Sequence, residues 1–281
     1  MTSTCRAAVV TGSNVGIGFE IVKNLCRQFD GDVYLTSIEK EDGEAAIKIF
    51  QDSGFSPKLH QLDVNDTGSV NALKHSLVSN NGGLDILVNN AAIMYKKDSK
   101  VPFSEQAAKT LQTNFWGVVN VCDALFPILH PHARVVNISS QLAKKSFEEC
   151  SETWRSLFQD SNLSKEKLFQ MMKQFVCDAE KGKAEVEGWS THSYGISKLG
   201  VMLLTQIQQK DFDNDPRKDI IVNSCNPGWT RTQMGGPNAT KSPEEGADTP
   251  TFLALLSSAL DTQDPLPRGK FWEERTVQEW W

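Results

Sequence analysis

Ala7-Ala8-Val9-Val10-Thr11-Gly12-Ser13-Asn14-Val15-Gly16-Ile17-Gly18 is the stretch that decides how the rest of this 281-residue chain is read. Four apolar residues run into a glycine-spaced turn, and 18–29 continues with a helical pattern. A strand, a turn and a helix in that order leave unpaired N–H groups and the positive end of the helix dipole at the turn, where they attract phosphate. Gly12 permits the tight turn, Gly16 lets the backbone approach a pyrophosphate, and Gly18 lets the helix lie close to the sheet. A glycine trio alone is weak evidence, because any sharp turn wants glycine. The flanking strand and helix supply the specific context. Ser13, Asn14, Val15 and Ile17 complete the candidate phosphate loop.

Outward from this stretch, short apolar runs at 32–36, 58–62, 85–89, 134–139 and 220–224 read as strands, with a shorter one at 270–272. They are near-continuously apolar, as strands buried on both faces should be. Helical stretches such as 70–79 lie between them. Alternation of this kind predicts an α/β fold: a Rossmann-type, doubly wound parallel sheet of about seven strands in one domain spanning 1–281. The segment 146–189 interrupts the pattern and is too long for a loop. Trp154, Leu157 and Phe158, then Leu168, Met171, Met172 and Phe175, recur at helical spacing, so a helical insertion covering the domain's own surface is expected.

The bulk properties exclude several classes. Apolar residues make up 39% and charged residues 23%, and the net charge of −6 argues against nucleic acid as a partner. Six cysteines without a C-x-x-C pair, and a polar start with no signal peptide or membrane-length apolar run, point to a reducing, cytoplasmic setting. Cys225 reads as a buried bystander. His130 and His132 flank Pro131 in a predicted loop with no third ligand close by, so no metal is expected.

Tyr194 and Lys198 stand four apart on a predicted helix and share one face. Tyrosine, with a pKa near ~10, is a poor acid at neutral pH unless a nearby cation favours tyrosinate, and a lysine one turn away supplies that cation. The fifth strand ends in Ser139-Ser140, and either hydroxyl at that end can hold a carbonyl oxygen. Asn114, in Thr113-Asn114-Phe115, adds a further polar group.

The T-G-x-x-x-G-x-G loop, Asp63-Val64 after the third strand, Asn89-Asn90-Ala91-Ala92 after the fourth, Tyr194/Lys198, and Asn226-Pro227-Gly228 after the sixth together resemble the short-chain dehydrogenases/reductases. Within them the chain is similar to the monomeric animal carbonyl reductases over nearly its whole length, including 83–90 and 240–247. The resemblance implies a catalytic set of Asn114, Ser140, Tyr194 and Lys198, with Asn114 holding a water that links Lys198 to solvent. It implies cofactor contacts from the phosphate loop, Ser37, Ile38, Asp63, Val64, Asn90, Ala91, Ala92, Tyr194, Lys198, Pro227, Gly228, Trp229, Thr230 and Thr232. Substrate contacts fall on Ser140, Tyr194, Trp229, Tyr95 and Gln106, with Lys96 and Lys97 nearby. Ala92 departs from the family's glycine, and Asn226 stands where some members carry a reactive cysteine.

The implied activity is reduction of aldehydes, ketones or quinones by a monomer whose insertion covers the face through which relatives associate. The implied cofactor is NADP(H). Basic groups at the adenosine ribose are nevertheless scarce, since Val15, Ile38 and Asp42 occupy the expected positions and only Lys40 remains, which makes NAD(H) the alternative. A sugar-nucleotide epimerase would favour T-G-x-x-G-x-x-G and a longer C-terminal domain. A non-catalytic dinucleotide-binding sensor is the other class to set against an enzyme.

Overall fold

The computed structural model describes residues 5–96, 98–257 and 266–279. Strands β1 (Ala7–Val10), β2 (Asp32–Ser37), β3 (Lys58–Gln61), β4 (Leu84–Asn89), β5 (Leu129–Ile138), β6 (Ile221–Asn226), β7 (Phe271–Glu273) and β8 (Thr276–Gln278) form one sheet in the order β3-β2-β1-β4-β5-β6-β7-β8. All neighbours are parallel except β7 and β8. The sheet therefore has eight strands rather than about seven. The additional one is a three-residue antiparallel return, short enough to leave little signal in sequence.

Alternation along each strand divides the core. Ala7 and Val9 face one side with Leu87, Val135 and Val222, while Ala8 and Val10 face the other with Ile86, Val88 and Val136. On the second side lie α1 (Gly16–Gln28), α2 (Lys40–Asp52) and α10 (Pro243–Ala254), which contribute Ile21, Leu25, Phe50 and Leu253 to that cluster. On the first lie α3 (Thr67–Asn81), α4 (Phe103–Leu111), α5 (Gly117–Leu125) and the long α9 (Ser193–Asp213). Strand β3 reads Lys58-Leu59-His60-Gln61 and sits at the sheet edge, so it is only half-buried rather than buried on both faces.

Strand β5 begins at Leu129, so His130, Pro131 and His132 lie in its first turn of chain rather than in a loop. A register shift against β4 and the left-handed backbone of His132 (φ 66°) accommodate the proline. The two imidazoles face different carboxylates, His130 towards Asp85 and His132 towards Asp219.

The interrupting segment forms α6 (Gln141–Glu149), α7 (Glu152–Phe158) and α8 (Lys165–Glu180). Phe158, Leu168, Met171, Met172 and Phe175 are buried in the first core cluster. Trp154 stacks on Trp189 with ring centroids 3.7 Å apart, and Trp189 Nε1 donates to the buried Asp178 at 2.9 Å. The insertion is thus an extension of the domain core, with α8 laid across α4 and α9. Among the described residues, no helix is long and apolar enough to cross a membrane.

Candidate active site

The C-terminal ends of the parallel strands open on one crevice, at the point between β1 and β4 where strand order reverses. Gly12 and Gly16 both take left-handed backbone (φ 58° and 64°). A Cβ on Gly18 would lie 2.8 Å from the Gly12 carbonyl oxygen and 2.8 Å from Ser13 Cα, so only glycine lets α1 start against the loop. Thr36 Oγ1 accepts the Gly12 N–H at 3.0 Å. The Asn90 side-chain amide donates to the carbonyls of Thr11 (3.0 Å) and Gly12 (2.8 Å), and Thr11 Oγ1 accepts the N–H groups of Asn90 and Ala91. The loop is held rigid from both neighbouring strands.

Ser13 takes no outward part. It is fully buried, its N–H donates to the Thr36 carbonyl, and its hydroxyl donates to Val10 and accepts from the Thr36 N–H. Asn14, Gly16 and Ile17 remain half-buried and Val15 exposed. Asn90 likewise spends its amide within the loop and acts as a brace. Asp63 ends β3's connection with one oxygen accepting the Asn65 N–H, and Val64 is buried against Gly117.

The catalytic candidates meet beside this cradle. Ser140 caps α6, its Oγ accepting the Leu142 N–H at 3.1 Å, and its side chain acts on the Tyr194 phenol, drawing its pKa down against the effect of burial. Ser139 points the other way: it is fully buried and donates to the Lys198 carbonyl at 2.9 Å. Of the two serines, Ser140 is the one that influences the Tyr194 phenol. Lys198 stands 5.6 Å from the centre of the Tyr194 ring and donates from Nζ to the Ile138 carbonyl at 2.7 Å.

Burial governs the ionisation of this pair. The Tyr194 phenol is pushed up to about 12, with the Ser140 hydrogen bond as the opposing influence, and burial takes the Lys198 ammonium down to about 8. The sequence alone predicts that the lysine charge pulls the phenol down. In the folded protein, loss of solvent sets the direction instead, and the phenol is raised.

Asn114 lies in a π-helical turn, Gln112–Trp116, between α4 and α5. Its side chain clasps the backbone of Ile93 from both ends, accepting the N–H at 2.8 Å and donating to the carbonyl at 2.9 Å. It also donates to Ser197 Oγ, which donates to the Tyr194 carbonyl at 2.7 Å. Asn114 therefore ties the segment after β4 to the catalytic helix.

Two neighbours carry weight that sequence reasoning did not assign. Ser197 completes that link, and its place one turn beyond Tyr194 was the available signal. His192 caps α9 by accepting the Gly195 N–H on Nδ1 at 3.2 Å.

Local hydrogen bonds place the remaining candidates. Trp229 is 55% exposed and is held flat by its indole N–H donating to the Gly235 carbonyl, while the buried Thr230 donates to the Gly228 carbonyl. Thr232 Oγ1 accepts the Gly235 N–H and its methyl lies beside Gly16. Asn226 donates to Glu273 and accepts the Gly228 N–H, fixing the turn at Pro227. Tyr95 is half-buried and Lys96 exposed; Lys97 lies outside the described residues. Gln106 donates its amide to the Val101 carbonyl at 2.7 Å and so shapes the turn before α4. Cys225 is fully buried, and burial pushes its thiol up.

Known proteins agree with this architecture. The short chain dehydrogenase family profile matches residues 6–152. Carbonyl reductase (NADPH) 1 of Sus scrofa is 46% identical over 281 residues, covering 100% of this chain and 96% of that protein. The Oryctolagus cuniculus protein of the same name is 44% identical with full coverage of both. Among solved structures, salutaridine reductase from Papaver somniferum superposes with a TM-score of 0.84 at 27% identity, covering 95% of this chain and 99% of that one. Menthone neomenthol reductase from Mentha piperita does so at 0.78 and 28%, covering 95% and 98%. With the phosphate cradle, the Ser-Tyr-Lys cluster and full-length relatives in agreement, the chain belongs to the short-chain dehydrogenase/reductase family.

Proposed function

We propose that this protein reduces the carbonyl group of aldehydes, ketones or quinones to an alcohol, using a nicotinamide dinucleotide and acting as a cytoplasmic monomer. The observation that carries the reading is the grouping of three side chains: Ser140 acts on the Tyr194 phenol, and the Lys198 ammonium lies 5.6 Å from the centre of its ring. The carbonyl reductases named NADPH-dependent favour NADP(H) as the family's dinucleotide. When bound, the reduced nicotinamide supplies the hydride.

The chain's own groups supply the rest. Gly12, Gly16 and the start of α1 offer a pyrophosphate open backbone and a helix N-terminus. Ser140 orients the substrate oxygen and donates to it as charge develops. Tyr194, protonated at neutral pH, releases its proton onto that oxygen. Lys198 then holds the phenolate that remains. Asn114 and Ser197 keep the Tyr194 backbone in register, and Trp229 offers a flat wall to the substrate. The α8 cover over α4 and α9 supports a monomer, which light scattering checks directly.

Tyr194→Phe tests the chemistry. It should abolish dinucleotide oxidation across a panel of quinones, aromatic aldehydes and ketosteroids while leaving dinucleotide binding intact. A variant that keeps most of the activity would refute Tyr194 as the proton donor. A wild-type protein that binds dinucleotide yet turns over no carbonyl would instead be a sensor on this scaffold.

A further inference from the structure

The cradle fits a pyrophosphate, but the ribose end does not fit a further phosphate. In this fold the adenosine ribose lies just past the second strand. A 2′-phosphate there is strongly anionic and is held by charge-assisted hydrogen bonds, above all from arginine. Here the chain runs Ser37-Ile38-Glu39-Lys40-Glu41-Asp42-Gly43-Glu44. Ser37 is buried, Ile38 is 56% exposed, and Val15 in the phosphate loop is 54% exposed. Two apolar side chains thus stand in water at the mouth of the site, where a donor would be needed. Placing a phosphate against them would cost its hydration without return.

Charge around the cleft is also wrong for an anion. Lys40 is the single base of 37–44, and its ammonium lies 3.4 Å from Glu44. A cleft of about 520 Å³ opens beside Ile38 and is lined by Glu39, Asp63 and Asp66, with His60 and Gln61 as neighbours. Burial lowers the His60 pKa, so the imidazole is neutral at pH 7 and adds no positive charge. The N-terminus of α2 does present backbone N–H groups, and its cap residue Glu39 makes no side-chain cap bond. Glu41 and Asp42 in the first turn, however, already answer that dipole.

We propose that the dinucleotide site of this chain does not select for the 2′-phosphate, and accepts NAD(H) about as readily as NADP(H). This inference rests on the dinucleotide-dependent reading above, and binding separates the two. Titrating the full-length protein with NAD⁺, NADP⁺, NADH and NADPH, read by quenching of intrinsic tryptophan fluorescence, should give Kd values within about tenfold of one another. The ratio of kcat/KM for NADPH over NADH should be equally small.

Ile38→Arg, a change at an exposed position, should tighten NADP(H) by about tenfold or more relative to NAD(H). A wild-type preference of several hundredfold for NADP(H) would overturn the inference, as would an Ile38→Arg variant that tightens both forms alike. If both dinucleotides bind alike but no carbonyl is reduced, the inference stands and the reductase reading fails. If neither binds, both fail.

Discussion

Lys198 donates from its ammonium to the carbonyl oxygen of Ile138 at 2.7 Å, so the end of β5 that presents Ser140 also anchors the Lys198 cation. One strand end thereby positions two of the three candidate groups. Burial pushes the Lys198 ammonium down to about 8 and the Tyr194 phenol up to about 12.

That pair sets an alkaline limit. Below about 8 the lysine is charged and the tyrosine protonated, the state required for proton donation. As pH rises through that value the ammonium is lost, and the phenolate left by donation loses its counter-charge. The kcat for carbonyl reduction should therefore fall along a limb near pH 8. A flat kcat profile between about pH 7 and pH 10 would contradict this assignment.

The two serines at the end of β5 should separate cleanly. Ser140→Ala removes a donor to the substrate oxygen and should lower kcat on the order of a hundredfold. Ser139→Ala removes a buried bond to the Lys198 carbonyl and should cost about 1 kcal/mol of stability, with kcat little changed. Steady-state kinetics and thermal melts on both variants check it, and the reverse pattern would exchange their roles.

His192 should impose an acid limit. Its Nδ1 must be unprotonated to accept the Gly195 N–H, and burial holds its pKa below the ordinary value, with Glu149 opposing and Lys145 reinforcing the shift. A depressed pKa means that the contribution is complete above the unfolded value near ~6.5. It is lost as pH falls through the folded value. His192→Ser should keep the cap and remove this acid limb of activity, whereas His192→Ala should lose about 1 kcal/mol at neutral pH. An acid limb that persists unchanged in His192→Ser would exclude the cap as its source.

Gly18→Ala should damage cofactor binding before it damages the fold. Its Cβ would press on the backbone of Gly12 and Ser13, so α1 must draw away from the loop. Dinucleotide affinity should fall by about tenfold or more, measured by the same fluorescence titration. Unchanged affinity would show that the close approach is dispensable.

Much of this was legible before any fold was known. The strand-loop-helix at the N-terminus, the alternation that follows it, and the i, i+4 pairing of Tyr194 with Lys198 are local patterns, and local patterns survive in a linear string. The insertion's apolar residues also announced their burial through helical spacing.

Other features depended on which chain segments meet. Ser139 and Ser140 are indistinguishable by type, and only the alternation of β5 against α9 sends one hydroxyl to the Lys198 carbonyl and the other to the phenol. Ser13 belongs to the phosphate-loop motif yet is consumed by β2. The sign of the Tyr194 shift likewise came from burial, a property of the whole packed domain. By itself the sequence determined the fold class and named the candidate reacting groups, because spacing and residue chemistry are written locally. Tertiary structure decided which atoms face one another and how strongly each holds its proton, because contact and desolvation exist only once distant segments pack.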